Sequence, residues 1–437
     1  MKVSFYTYFL PKNENVICYN TFSDAIMLIS KKAYDDFITN ELTDFKKKYP
    51  KVFDTFINNG FIVNKNINEL DFIRTLNYNT IHNLKYYHLV ILPTIECNLR
   101  CWYCFETHVK GRISDEIKKR IIKHIQKKID KNEIDSILLD FFGGEPLLNF
   151  TEDAYPLAKK VQEIMGNNNL PFSTFFTTNG TLIDKGIINK LSEINPSFQI
   201  TLDGCKEKHD KIRFYKSNAR GSYEDIIKSI HLINTNIPES KLNIRINYDE
   251  QTLSRIDDIL NDLNDLDRSR IEIHFERIWQ VPGKVENRKL IDMINLFSLN
   301  GFHVSYLNWR KDSCACKADR KNEAAINYDG SVYKCTGRDF VSEKREGVLL
   351  ENGDIQWKQD IEKRFEKATF ENKKCLSCKM LPVCMGPCSQ KISELKDKED
   401  ISSVCMFNAL EMKFDEYVEL LYNNRVLCDQ YNKMNQE

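Results

Sequence analysis

Between Tyr87 and Gly301 the chain alternates short β-rich runs with longer segments of helical period. That alternation is the strongest constraint in the sequence, because parallel strands need long crossover connections and helices supply them. The strand candidates are His88–Pro93, Ser136–Phe142, Phe172–Thr177, Phe198–Leu202, Leu242–Tyr248 and Ile271–Phe275. Between the first two, Ile117, Ile121, Ile125 and Ile129 recur every four residues along one helical face. Six such units predict an α/β fold with a parallel sheet, either doubly wound or curled into a partial barrel. In both arrangements function concentrates at the carboxyl ends of the strands. Cys97, Gly143-Gly144-Glu145, Thr178-Asn179-Gly180 and Asp203-Gly204 all fall there.

The flanks read differently. In residues 1–85, Lys2–Phe9, Asn15–Asn20 and Asp24–Ser30 are β-rich. Lys31–Thr39 and Leu42–Asn59 are helical, the second broken near Pro50, and Gly60–Val63 is extended. Strands followed by helices suggest a small winged-helix-like module. After Gly301 the alternation stops, leaving a cysteine-rich, irregular tail with a last amphipathic helix near Ala409–Asn423. The pattern thus divides into 1–85, 86–300 and 301–437.

Lys plus Arg and Asp plus Glu are both 63, which argues against broad attraction to nucleic acid or an anionic membrane. Neither a signal peptide nor an apolar run of membrane-spanning length is evident, so a cytoplasmic protein is expected. In that compartment the 14 cysteines point to metal or cluster ligation rather than disulfides. Cys18, Cys205 and Cys428 stand alone and read as small hydrophobes.

Cys97, Cys101 and Cys104 form the first group, just past a strand. Three thiolates can grip one face of an iron–sulfur cluster and leave one iron open, whereas four would close a cubane or a tetrahedral zinc. A zinc knuckle would have to borrow a distant fourth ligand.

The string C-x3-C-x-aromatic-C, with Tyr103 as the aromatic, resembles the signature of radical S-adenosylmethionine (SAM) enzymes. Gly143-Gly144-Glu145-Pro146 is similar to that family's GGEP motif, and Thr201-Leu202-Asp203-Gly204 and His209-Asp210-Lys211-Ile212-Arg213 to its S-x-D-G and H-D-x-x-R stretches. The resemblance covers about residues 86–300 and implies a partial (β/α)6 TIM-like barrel. It implies a 4Fe–4S cluster whose open iron chelates SAM, and a 5′-deoxyadenosyl radical that takes hydrogen from an unactivated carbon. By the same resemblance, the Gly143–Pro146 backbone meets the SAM amino group. Thr201, with Thr in place of Ser, touches the ribose, and Arg213 holds a substrate or SAM carboxylate. Thr178, Asn179 and Asp203 join these as cofactor-site residues, and Tyr103 is read as cluster shielding and adenine packing rather than a catalytic acid.

The tail reads Cys316, Gly330-x4-Cys335, Cys375-x2-Cys378-x5-Cys384-x3-Cys388 and Cys405. This resembles the SPASM extension of radical SAM enzymes, which carries auxiliary 4Fe–4S clusters; a zinc ribbon is the plainer alternative. The resemblance implies two auxiliary clusters. Cys316, Cys335 and Cys388 would serve the inner one, and Cys375, Cys378, Cys384 and Cys405 the outer. Cys314 is the natural eighth ligand, since the side chains of an extended Cys-Ala-Cys fall on the same side. The rival arrangement leaves an open iron for a substrate thiolate.

SPASM proteins mostly act on peptides and proteins. Sulfatase-maturating enzymes typically place an Asp directly after the cysteine of G-x4-C; here Thr336 stands there, and Asp339 reads as a solvated turn residue. The other branch, maturases of ribosomally made peptides, installs thioether or carbon–carbon crosslinks. Many of its members carry an N-terminal module that binds a leader peptide as an added strand. Residues 1–85 resemble that module in element order. The expected function is therefore a peptide maturase. The alternatives are formylglycine formation and a non-enzymatic iron–sulfur or zinc peptide-binding protein. Expected partners are a precursor peptide with a leader and a reductant such as flavodoxin or ferredoxin, with neither nucleic acid nor membrane.

Overall fold

The computed structural model describes residues 1–253, 255–283, 285–306, 314–395, 400–409 and 411–434. By packing, the chain forms two compact units. The first comprises Met1–Ile81, Asn308–Cys316 and Arg364–Glu437; the second comprises His82–Leu307 and Lys317–Lys363. Among the described residues no helix is long and apolar enough to cross a membrane.

In the first unit, β1 (Lys2–Val3) pairs with β5 (Ile62–Val63), and β2 (Thr7–Lys12), β3 (Asn15–Asn20) and β4 (Ala25–Ser30) form an antiparallel sheet. The expected single strand Lys2–Phe9 is thus two strands. Ser4 and Phe5 bend the chain between them, donating from the Ser4 hydroxyl and the Phe5 amide to the Glu69 carboxylate. Helices α1 (Lys31–Thr39), α2 (Leu42–Lys48) and α3 (Pro50–Asn58) follow, and the break comes at Pro50, which begins α3. Phe37, Phe45, Phe53 and Phe56 from these helices cover one face of the sheet over Val16, Cys18 and Ile29. The opposite face, Ile17 and Tyr19, packs on Phe414, Val418 and Leu421 of the C-terminal helix Phe414–Met434. That helix starts later than the expected Ala409, which lies in a short 3-10 turn.

The second unit is built on one large sheet. Its strands are β6 (Tyr86–Leu92), β8 (Ser136–Phe141), β9 (Phe172–Thr178), β10 (Pro196–Leu202), β12 (Leu242–Tyr248), β13 (Ile271–Arg277), β14 (His303–Tyr306), β15 (Glu323–Asn327), β16 (Ser331–Tyr333), β17 (Gly347–Leu349) and β18 (Ile355–Trp357). The order is β14-β13-β12-β10-β9-β8-β6-β15-β16-β17-β18, parallel from β14 to β15 and antiparallel beyond. The six expected strands are its centre. The sequence pattern hides β15, which passes Gly301 and adds in parallel to the free edge of β6. A separate ribbon pairs β7 (Leu99–Cys101) with β11 (Arg213–Tyr215).

Side-chain alternation separates two faces of the central strands. Phe141, Phe176 and Phe198 are fully buried and stack across β8, β9 and β10, with centroids 4.9 and 5.8 Å apart. The helix Asp115–Asp130 presents Ile117, Ile121 and Ile125 to the core. Its start is capped by Ser114, whose hydroxyl accepts from the Ile117 amide, with Asp115 and Glu116 in the first turn complementing the helix dipole. The other face of β10 and β12 carries the less buried, polar Gln199, Thr201, Asn243 and Arg245, and this face bears on the site.

Candidate active site

Glu145 organises the strand ends. Its side chain is fully buried, and its carboxylate accepts from the Thr178 hydroxyl (2.7 Å), the Asn179 amide (2.8 Å) and the Leu147 amide (3.0 Å). Its own amide donates to the Glu96 carbonyl at 2.8 Å. Through its carboxylate and its amide together, this one residue ties the ends of β8 and β9 to the loop after β6. Burial raises its pKa, and the three donors oppose that rise. The two glycines before it have no room for a side chain. A Cβ on Gly143, whose φ is +114°, would lie 2.3 Å from the Thr94 carbonyl, and one on Gly144 would lie 2.2 Å from that of Glu96. Pro146 is buried beside them.

The three cysteines follow on the loop that includes β7. Cys97 and Cys101 are half-buried and Cys104 is exposed. The Asn179 side-chain amide approaches the Cys97 sulfur at 3.7 Å and donates to Asn98 Oδ1 at 2.8 Å. Cys101 sits opposite Arg213 in the ribbon, so the distant arginine motif lies against the cysteine loop. His108 donates from Nδ1 to the Ile95 carbonyl and brings Nε2 to 3.4 Å from the Cys104 sulfur. A histidine therefore does stand beside this cysteine group, contrary to the view that a fourth ligand would be distant. Asp339 is not a solvated turn residue. Its carboxylate accepts from the Thr107 amide and hydroxyl at 2.8 and 2.6 Å, pinning the far end of the same loop.

Tyr103 lies between two of the cysteines. Its hydroxyl donates to Asp203 at 2.6 Å and accepts from Arg213 (2.9 Å) and from the Asn247 side-chain Nδ2 (3.0 Å). Burial first, and then the Asp203 anion, push the phenol well above its ordinary value, so it remains the donor. Burial works against the charge of Arg213, but Cys101, Tyr103 and Asp203 outweigh it. His209 accepts the Asp203 amide at Nδ1 and approaches Ser222 at 3.1 Å through Nε2; Ser222 in turn donates to the Arg213 carbonyl. The buried imidazole therefore sets the backbone of both acid and guanidinium. Burial pulls its pKa well down, so it stays neutral. Asn247, Gln280, which donates to the Tyr103 carbonyl, and the roles of His209 and Asp339 escaped the sequence reading. Only the H-D-x-x-R string carried a local signal for any of them.

The donor set fits the cofactors that the sequence resemblance implies. Three cysteines with no fourth on the loop suit a cluster with one open iron. Among the described residues no three His, Cys, Asp or Glu side chains are arranged to hold a single metal ion. Asp203 Oδ1 and Arg213 Nε are buried without a hydrogen-bond partner. Such orphaned atoms cost about 1–3 kcal/mol each, and an ammonium or hydroxyl for one and a carboxylate for the other would satisfy them. Thr201 lies on the same strand as Asp203's approach, half-buried, with its hydroxyl unbonded among the described residues.

In the first unit, Cys375, Cys384 and Cys405 line one small cavity with Asn372, Lys374, Pro387 and Ser402. Burial, and then the neighbouring thiols of Cys405 and Cys378, raise the Cys375 pKa, which places Cys378 in the same group. Cys314, Cys316 and Cys388 are half-buried in this unit, and Cys335 is half-buried in the second. Cys314 has a left-handed backbone, φ +51°, so the extended Cys-Ala-Cys argument does not hold. Its carbonyl accepts from the Asn77 side chain at 2.7 Å, and its side chain packs beside Tyr6, Ile73 and Phe370. Cys18 and Cys205 are buried, and the Cys428 side chain lies outside the described residues.

Fold and site together fit an enzyme of the radical SAM type, and the cysteine-rich C-terminal region fits the SPASM type. Residues 91–263 match the Radical SAM superfamily. A cysteine-type anaerobic sulfatase-maturating enzyme of Clostridium novyi (strain NT) is 27% identical over 67% of this chain and 84% of its own length. The radical SAM cyclopropyl synthase TigE of Paramaledivibacter caminithermalis is 22% identical over 86% of this chain and 79% of its own. Streptococcus suis SuiB, solved with its precursor peptide SuiA, shares the fold at a TM-score of 0.54 and 16% identity, covering 93% of this chain and 99% of SuiB.

Proposed function

We propose that this enzyme matures a ribosomally made precursor peptide, abstracting hydrogen from it and installing a thioether or carbon–carbon crosslink. The observation that carries this reading is the N-terminal sheet. Its two faces are packed, one by α1–α3 and the other by the C-terminal helix, while among the described residues the outer edge of β4 pairs with no strand. A covered sheet with an open edge accepts an extended peptide through main-chain hydrogen bonds, which suits leader recognition. The other edge strand, β2, contains Pro11, which cannot donate to an added strand. SuiB, solved with its precursor peptide SuiA, supports a peptide substrate.

When bound, the cluster and SAM supply one low-potential electron and a carbon radical able to take hydrogen from an unactivated position. Cys97, Cys101 and Cys104 would hold the cluster, and a reductant such as flavodoxin or ferredoxin would supply its electron. Tyr103, gripped by Asp203, Arg213 and Asn247, fixes the loop that carries the thiolates. Arg213, Thr201 and Asp203 offer a donor, a hydroxyl and an acceptor to SAM, and Glu145 holds the Gly143–Gly144 backbone in place for it. Cys375, Cys378, Cys384 and Cys405 would hold an outer auxiliary cluster. Cys316, Cys335 and Cys388, with Cys314, would hold an inner one. The proposed location is the cytoplasm.

The reading is tested by incubating reduced, reconstituted protein with SAM and a short precursor encoded beside its gene. A mass loss of about two hydrogens per crosslink is expected. SAM cleavage with an unchanged peptide mass would sink the reading. The likeness to the Clostridium novyi sulfatase-maturating enzyme favours a second reading, formylglycine formation. Against it, Thr336 follows Cys335, and Asp339 is engaged with Thr107. Conversion of a cysteine-containing sulfatase peptide to an aldehyde would decide for it.

A further inference from the structure

Arg245 lies in the middle of β12, on the polar face of the sheet, in register with Thr201 on β10. Its Nε donates to Asn247 Oδ1 at 2.9 Å, and Asn247 Nδ2 donates onward to the Tyr103 hydroxyl at 3.0 Å. The two Nη groups make no hydrogen bond or ion pair among the described residues. The acids on the neighbouring strand do not compensate them. Glu276 is bonded to His274, the register partner of Arg245, and Glu272 lies beside Asn243. A half-buried guanidinium that lacks an anion has paid part of its desolvation without the return. Its free end presents two parallel N–H groups, the geometry that pairs a planar carboxylate in bidentate fashion.

We propose that Arg245 anchors a substrate carboxylate, an acidic side chain or a peptide C-terminus, on the polar face of the sheet. This rests on the peptide-maturase reading and names the chemistry of its substrate. SAM also carries a carboxylate, but Arg213 is the guanidinium opposite Cys101, and its Nε is the orphaned donor there. Arg245 sits one pleat repeat below Asn247, about 7 Å further from the strand's carboxyl end. Such an anchor would hold a substrate residue on the polar face of the sheet, further from the strand's carboxyl end than Asn247.

The test uses the full chain, reconstituted anaerobically and loaded with SAM. Binding of three probes is measured by saturation-transfer NMR: the blocked tripeptides acetyl-Gly-Glu-Gly-amide and acetyl-Gly-Gln-Gly-amide, and free glutarate. The Glu peptide should bind at least about fivefold more tightly than the Gln peptide. Arg245→Gln should abolish that preference, Arg245→Lys should keep part of it, and SAM affinity should stay within about twofold in both. Thermal melts establish that each variant is folded. An undiminished preference in Arg245→Gln overturns the proposal. So does a loss of SAM affinity of about tenfold with the preference intact, which assigns the guanidinium to the cofactor. Absence of binding by any probe to the wild type also overturns it. If glutarate binds through Arg245 but neither peptide binds, the carboxylate anchor stands and the peptide reading falls.

Discussion

The Tyr103 hydroxyl lies 2.6 Å from the Asp203 carboxylate and also receives hydrogen bonds from Arg213 and Asn247. Tyr103 stands between Cys101 and Cys104, so the ends of two strands and the β7–β11 ribbon meet on one oxygen in the cysteine loop. The loop's shape is therefore set by these polar groups on the strands and ribbon as well as by whatever the thiols bind.

Tyr103→Phe keeps the ring and removes that oxygen. Hydrogen bonds to charged groups contribute about 1.5–3 kcal/mol each. We expect bound iron to change little, because the cysteines remain, while SAM cleavage without peptide falls roughly 10–100-fold. Iron assay together with 5′-deoxyadenosine release checks this. A variant that cleaves SAM at the wild-type rate would show that the hydroxyl does not position the loop.

Glu145→Gln replaces an acceptor with a half-donor in a buried site that holds three donors. At least one N–H must then face another N–H. The expected cost is on the order of 2–4 kcal/mol, seen as a lower midpoint in chemical denaturation. Wild-type stability in this variant would mean that Glu145 does not tie the strand ends.

His124 makes stability depend on pH. Its Nδ1 donates to the Gly353 carbonyl and its Nε2 accepts from the Tyr87 hydroxyl, both at 2.7 Å. Burial, then Lys128, lower its pKa from 6.5 to about 4. The unfolded chain therefore takes up a proton before the folded one does. The contribution is complete above pH about 6.5 and is lost as pH falls toward 4, to a limit of roughly 3 kcal/mol. Denaturation midpoints across this window should fall with pH, and His124→Gln should flatten most of the slope.

Cys405→Ala removes one thiol from the cavity shared with Cys375 and Cys384. The protein should lose about four irons per chain yet still cleave SAM without peptide, whereas Cys97→Ala should lose cleavage. Unaltered iron and sulfide in Cys405→Ala would remove it from the ligand set.

Much of the fold was legible because it is written in local periodicity. The expected strand Leu242–Tyr248 is the observed one, and Pro50 breaks the helix as its ring requires. Where pattern misled, a tertiary partner had intervened. Glu69 bends the chain at Ser4, and β15 pairs with an edge more than 200 residues away. Asp339 looked like a solvated turn because its partner, Thr107, is 232 residues distant. Arg245 and Asn247 were illegible for another reason. In Leu-Asn-Ile-Arg-Ile-Asn-Tyr, alternating polar residues look like a solvent face, and only the parallel neighbours show that they line the site.

The sequence by itself determined the parallel α/β core, the thiol chemistry of two cysteine groups and the glycines that must pass close to a carbonyl. Those depend on backbone periodicity, residue chemistry and the absence of a Cβ, all of which are local. Only the tertiary structure decided that Glu145 ties the strand ends, that Tyr103 joins Asp203, Arg213 and Asn247, and that both Nη groups of Arg245 stay unbonded among the described residues. Hydrogen-bond partnerships depend on register and crossover, which bring together groups that share no local pattern.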